Sequence, residues 1–261
     1  MFRSLLFTLI TFSLVLAFTS VDAADLNSVQ TKPKIAIVID DLGDNPVIGR
    51  KIVNLPVALT LAILPKTPQA KYIAEKGFTQ GHEIIMHLPM EAFTRPDLLG
   101  PGALYANMSD EDFNKTLSEN IESIPHLVGF NNHMGSMLTE NTEKMNLLMS
   151  LAKNKNWYFL DSKTSELSVA EQIAKDNGLP TIGRDIFLDH YSKTQRLDKV
   201  LPERLKQAKK IARLKGYAVV LCHPYPETYQ FLSQELDSLK SEFELVKLSD
   251  LIDLKTEYSQ R

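Results

Sequence analysis

Short runs of β-branched and other apolar residues alternate with longer stretches whose apolar positions recur every three or four residues, from Lys34 to Leu248. The short runs predict strands at Lys34–Ile39, Val57–Ile63, Glu83–His87, His126–Asn131, Trp157–Leu160, Thr181–Leu188, Tyr217–Cys222 and Glu244–Leu248. The longer periodic stretches predict helices at Thr67–Lys76, Ser109–Ile124, Thr142–Lys155, Ser168–Asp176, Leu197–Lys215 and Thr228–Lys240. Ser109 with Asp110, Glu111 and Asp112 makes a capped, acidic first turn, and Gly77 and Gly216 stop two of the helices. Parallel neighbours need crossover connections, so this order predicts an α/β domain with a parallel sheet. Seven or eight such units fit a single-domain, distorted (β/α) barrel over residues 34–254, with a polar tail at 255–261. An open doubly wound sheet is the competing arrangement. Asp40, Asp41, Leu42 and Gly43 follow the first strand in place of a glycine-rich phosphate loop, which removes the nucleotide-binding version of it. The segment Leu88–Met108, with Pro89, Pro96, Gly100, Pro101 and Gly102, reads as a long functional loop.

The N-terminal segment has another character. Arg3 precedes an apolar run from Leu5 to Ala17, and Val21, Asp22 and Ala23 supply the small residues of a signal-peptidase site. Residues 1–23 are expected to be a cleaved secretory signal and 24–33 a linker, since the run is shorter than the roughly 20 residues of a spanning helix. This predicts an exported, periplasmic protein with no stable membrane anchor after cleavage. Composition narrows the chemistry. With 29 Lys and Arg against 32 Asp and Glu, the net charge of −3 argues against a nucleic-acid partner. A lone Cys222 forms no internal disulfide and no zinc-finger spacing is present, so any metal must be held by His, Asp and Glu.

Sites in parallel barrels form at the carboxyl ends of the strands. There the first strand gives Asp40 and Asp41, the third His87, the fourth Asn131, Asn132 and His133, the fifth Asp161 and the seventh His223. Any one of these alone has an ordinary explanation as a cap, turn or hydrogen-bonded structural residue. The amino ends, at Lys34, Val57, Glu83 and Tyr217, carry no comparable set. Asp41, His87 and His133 would supply two imidazoles and a carboxylate to a divalent metal, with zinc the expected ion and a position left for water. Asp40 could take the water's proton, and His223 could protonate a leaving group.

These motifs resemble the polysaccharide deacetylases, and among them the divergent branch. Ile39-Asp40-Asp41 is similar to the family's first motif, in which the first Asp is the base and the second a metal ligand. Gly81-His82-Glu83-Ile84-Ile85-Met86-His87 is similar to the second, and Leu221-Cys222-His223-Pro224 to the last, whose His is the general acid. The second motif ordinarily has another His four residues on, where this chain has Glu91; the third motif is replaced by Asn131-Asn132-His133. The resemblance therefore leaves His133 or Glu91 as third ligand, with His133 preferred and Glu91 and Asn132 as additional ligands or substrate contacts. It implies that Asp161 orients His223. It also implies a substitute for an arginine that pairs with the base, for which Arg184 is the candidate, against a plain ion pair of Arg184 with Asp185 or Asp189. The implied function is metal-dependent removal of N-acetyl or O-acyl groups from a glycan such as peptidoglycan. A non-catalytic envelope protein that binds glycan or a partner through the same mouth is the alternative.

Overall fold

In the computed structural model the described residues are 32–192 and 194–252. The predicted signal at 1–23, all of the linker before residue 32 and the tail at 255–261 lie outside them. The chain runs β1 (Lys34–Leu42), α1 (Pro46–Ile52), β2 (Thr60–Ile63), α2 (Ala70–Thr79), β3 (Glu83–Met90), α3 (Asp110–Glu122), β4 (Leu127–Met134), α4 (Thr142–Lys153), β5 (Tyr158–Asp161), α5 (Ala170–Asp176), β6 (Thr181–Gly183), β7 (Ile186–Phe187), α6 (Leu197–Lys215), β8 (Tyr217–Cys222), α7 (Pro226–Glu242) and β9 (Glu244–Val246).

All strand pairs are parallel, in the order β6-β5-β4-β3-β2-β1-β8-β7. The edge of β1 away from β8 is shared: β9 pairs with Lys34–Ala36, and β2 with the part from Val38 to Leu42. The sheet curls into a distorted barrel. The strand predicted at Thr181–Leu188 is broken in two; β6 pairs with β5 and β7 with β8, so only Arg184 and Asp185 join the two sheet edges. Their backbone N–H groups follow the same split, Arg184 donating to Asp161 O and Asp185 to Val219 O.

Two apolar layers hold this shape. The alternate residues Ala36, Val38, Ile85, Leu160, Ile182, Val219 and Leu221 pack inside the barrel, while Ile35, Ile37, Ile39, Phe159 and Val220 face the helices. The largest unpredicted element, α1, is capped by Asn45, whose side chain accepts from Val47 N and Ile48 N, with Pro46 at the first helical position. Strands β1, β3 and β4 each run three residues beyond the predicted runs. The polar residues read as strand ends are therefore fixed in the sheet, not in loops.

Candidate metal centre

Alternation along each strand decides which side chains reach the barrel mouth. Counting by twos from the interior residues Val38, Ile85, Leu160, Ile182 and Leu221 arrives at Asp40, His87, Ser162, Arg184 and His223. All five line one cavity of about 640 Å³, together with Asp41 and His133. Asp41 has the wrong parity. It enters the same cavity because its backbone is left-handed, with φ 53°, where the β1–β2 register shifts between Ile39 and Leu42. His133 follows Asn131 by two, and Asn131 is the register partner of His87.

Three atoms meet at the centre. Asp41 Oδ1 lies 3.1 Å from His87 Nε2 and 3.0 Å from His133 Nδ1, and the two ring nitrogens are 3.2 Å apart. The rest of the network sets the tautomers. Asn131 Nδ2 donates to Asp40 Oδ1 at 2.8 Å, which turns Asn131 Oδ1 toward His87 Nδ1 at 2.8 Å. An amide oxygen only accepts, so His87 carries its proton on Nδ1 and its Nε2 lone pair points at Asp41. His133 Nε2 faces the Leu98 carbonyl at 3.1 Å, which likewise leaves the Nδ1 lone pair pointing inward. Asp41 Oδ1 is buried and lacks a hydrogen-bond partner despite its two close nitrogens. Two imidazole lone pairs and an orphaned carboxylate oxygen on one point repel each other unless a proton or a metal cation lies between them. Imidazoles held by an amide and a carbonyl are how proteins present metal ligands. The donor set therefore fits a divalent metal, and these three residues form a metal-type cluster.

A proton on His87 can take the cation's place. Burial would raise the pKa of Asp41, but His133 and His87 outweigh it and hold the carboxyl well below the usual range. Burial likewise opposes charge on His87, and Asp40 with Asp41 overcomes it, so its pKa is raised. Asp40 goes the other way: burial raises its pKa despite His87 and His223. Facing these groups, His223 is held by Asp189, with Nδ1 to Oδ1 at 2.9 Å and the His223 backbone N–H donating to Oδ2 at 2.7 Å. Thr228 Oγ1 donates to the same Oδ2 at 2.9 Å. Burial opposes protonation of His223, and Asp189 outweighs it, pushing the pKa up to about 9.

Several expectations change here. The carboxylate against His223 is Asp189, not Asp161. Leu160 points into the barrel, so Asp161 points out of it, where it accepts from Lys163 N at 2.8 Å and Ser168 Oγ at 2.9 Å. Arg184 reaches the cavity but makes no hydrogen bond to Asp40; its Nε donates to Ser162 O and its Nη2 to Lys163 O. It pairs with neither Asp185, whose partner is Lys215, nor Asp189. Asn131 is the group hydrogen-bonded to Asp40, and His87 Nδ1 lies 3.7 Å from the same oxygen. Glu91 stands outside the metal cluster because Pro89 continues β3 and starts no helical turn; Glu91 accepts from Ala106 N at 2.8 Å and so anchors the long loop. Asn132 also lines the cavity but stands outside the metal cluster, its amide taken up by Met134 O, Thr164 Oγ1 and Ser162 N. Asn131, named from the sequence without a role, and Asp189, named only as a rival partner of Arg184, are the residues that hold Asp40 and His223. Counting by twos from the paired residues Phe187 and Leu221 reaches Asp189 and His223.

A family model described as divergent polysaccharide deacetylase matches residues 37–252. The chain is 34% identical over 239 residues to the uncharacterized protein YibQ of Escherichia coli (strain K12), covering 92% of this chain and 73% of that one. It is 33% identical over 218 residues to an uncharacterized protein of Haemophilus influenzae, covering 84% of this chain and 76% of the relative. Its fold matches the crystal structure of an uncharacterized protein from Agrobacterium tumefaciens C58 with a TM-score of 0.78 at 23% identity, covering 85% of this chain and 89% of that one.

Proposed function

Because the chain belongs to the divergent polysaccharide deacetylase family, we propose that it is a metal-dependent hydrolase removing N-acetyl or O-acyl groups from an amino-sugar polymer such as peptidoglycan. The observation that carries this reading is the convergence of Asp41 Oδ1, His87 Nε2 and His133 Nδ1 on one point of a cavity that Asp40 and His223 also line. Zinc is the expected occupant of such a donor set, and when bound it acidifies water and polarises the acyl carbonyl.

The chain's own groups divide the remaining work. Asp40, fixed by Asn131 Nδ2, accepts the proton of the attacking water. His223 enters the reaction protonated at neutral pH and delivers a proton to the departing amine or alcohol. Asp189 holds His223 with Nδ1 tied and Nε2 free to donate. Export of the protein, with cleavage after Ala23 into the periplasm, belongs to this reading and places it where peptidoglycan is.

Acetate release from N-acetylated glycan oligomers by the zinc-loaded protein tests the reading, with Asp40→Asn expected to slow it by about 10²-fold or more. Elemental analysis of His87→Ala and His133→Ala is expected to show bound metal lost from each. A wild type that binds glycan and releases no acetate from any acetylated glycan would make the protein a glycan-binding module of the envelope.

A further inference from the structure

Two arginines line the cavity without a paired carboxylate. Arg184 and Arg204 both line the cavity, from the β6–β7 break and from α6. Among the described residues neither guanidinium has a carboxylate within 4.0 Å. Lys163, on the same wall, is already matched to Glu171 at 3.5 Å, and Asp185 to Lys215 at 2.8 Å. Arg184 is pinned: Nε and Nη2 donate to the Ser162 and Lys163 carbonyls, and its plane lies 4.0 Å from the Phe187 ring centre. Its Nη1 has no partner among the described residues. Arg204 spends only Nη1, on Gln207 Oε1 at 3.1 Å.

We propose that Arg184 and Arg204 form a carboxylate-binding subsite, so that the substrate is an acylated amino sugar bearing a carboxylate. The proposal deepens the deacetylase reading and rests on it for the word substrate. Two unpaired guanidinium groups facing one cavity cost energy that a bound anion returns, and their planar forks suit a carboxylate's two oxygens. Burial depresses the pKa of Arg184 and Arg204 adds to it, while Asp161, Asp40 and Asp185 oppose the shift without cancelling it. Asp40 and Asp185 line the same cavity, which favours a group with one negative charge over a phosphate dianion. A second cavity of about 340 Å³ shares Arg204 and Gln207 and continues past Lys199 along α6, so a chain attached to the anchored sugar has room to run outward.

The test compares N-acetylmuramic acid, its methyl ester and N-acetylmuramoyl-alanine, in which the carboxylate moves one residue out. Calorimetric binding to the zinc-loaded Asp40→Asn protein is expected to be at least about tenfold tighter for a free acid than for the ester. Arg204→Gln is expected to bring acid and ester within about twofold, and Arg204→Lys to restore part of the difference. Whichever acid is preferred identifies a carboxylate on the sugar or on an attached peptide. Equal binding of acid and ester, binding of neither, or a preference unchanged in a folded Arg204→Gln protein would each overturn the subsite. Acetate release without discrimination would leave the hydrolase reading standing and the subsite fallen. Discrimination in binding without acetate release from any probe would do the reverse.

Discussion

Asn131 joins the two halves of the centre through one amide, donating to the proposed base Asp40 and accepting from the ligand His87. Replacing it by Leu keeps the volume and removes both bonds. Metal affinity is expected to fall about 10- to 100-fold, read by competition with a chromogenic chelator. His223 makes a separate prediction. Its pKa rises from 6.5 to about 9 in the folded protein, so the charged pair with Asp189 stabilises the fold in full below pH 6.5 and loses that contribution as pH rises through about 9. The activity of the proposed general acid should fall on the same alkaline limb. Asp189→Asn removes the charge that outweighs burial, so the limb should move down by more than about one pH unit, in the rate profile and in the NMR titration of His223. Glu91→Gln tests a position that residue type made a rival ligand. Metal stoichiometry should remain that of the wild type, because Glu91 holds Ala106 N and does not face the cluster.

At the level of elements, β1 shows why strand ends were only partly legible. An apolar run ending in two Asp residues marks a site, yet regular alternation would send one carboxylate to each face; the left-handed turn at Asp41 sends both to the mouth. In β5 the residues Tyr158, Phe159 and Leu160 are all apolar, so the run itself carries no parity, and Asp161 could be placed only once Leu160 was seen inside the barrel. The loop from Glu91 to Met108 supplies the Leu98 carbonyl that fixes His133, and it docks on α3 through Asn120 Nδ2, which donates to Gly102 O at 2.8 Å. Gly102 has φ +75°, and a Cβ there would lie 2.0 Å from Asn120 Oδ1. Gly102→Ala is therefore expected to cost about 2 kcal/mol or more in a denaturant melt, and to weaken metal binding through Leu98.

In the whole molecule the centre ties together β1, β3 and β4, whose ligands are far apart in sequence and adjacent only in the curled sheet. Metal bound to the folded state alone should stabilise it by about 2.7 kcal/mol at 100 times the dissociation constant, raising Tm by roughly 5–10 °C. His133→Ala should abolish that rise in a thermal scan with and without zinc. The alternation of runs along the chain was enough to determine the α/β class, the parallel sheet and the strands that carry the chemistry, because hydrophobic periodicity reports local burial directly, while the choice of barrel over open sheet was left to the structure. Residue type at the strand ends was enough to propose Asp41, His87 and His133 together. Only the tertiary structure decided that Asp189 and not Asp161 meets His223, that Asn131 and not Arg184 holds Asp40, and that Arg184 and Arg204 share a wall. Those pairings depend on strand parity, on one positive φ and on where a broken strand crosses between sheet edges, and none of these changes the pattern of apolar residues.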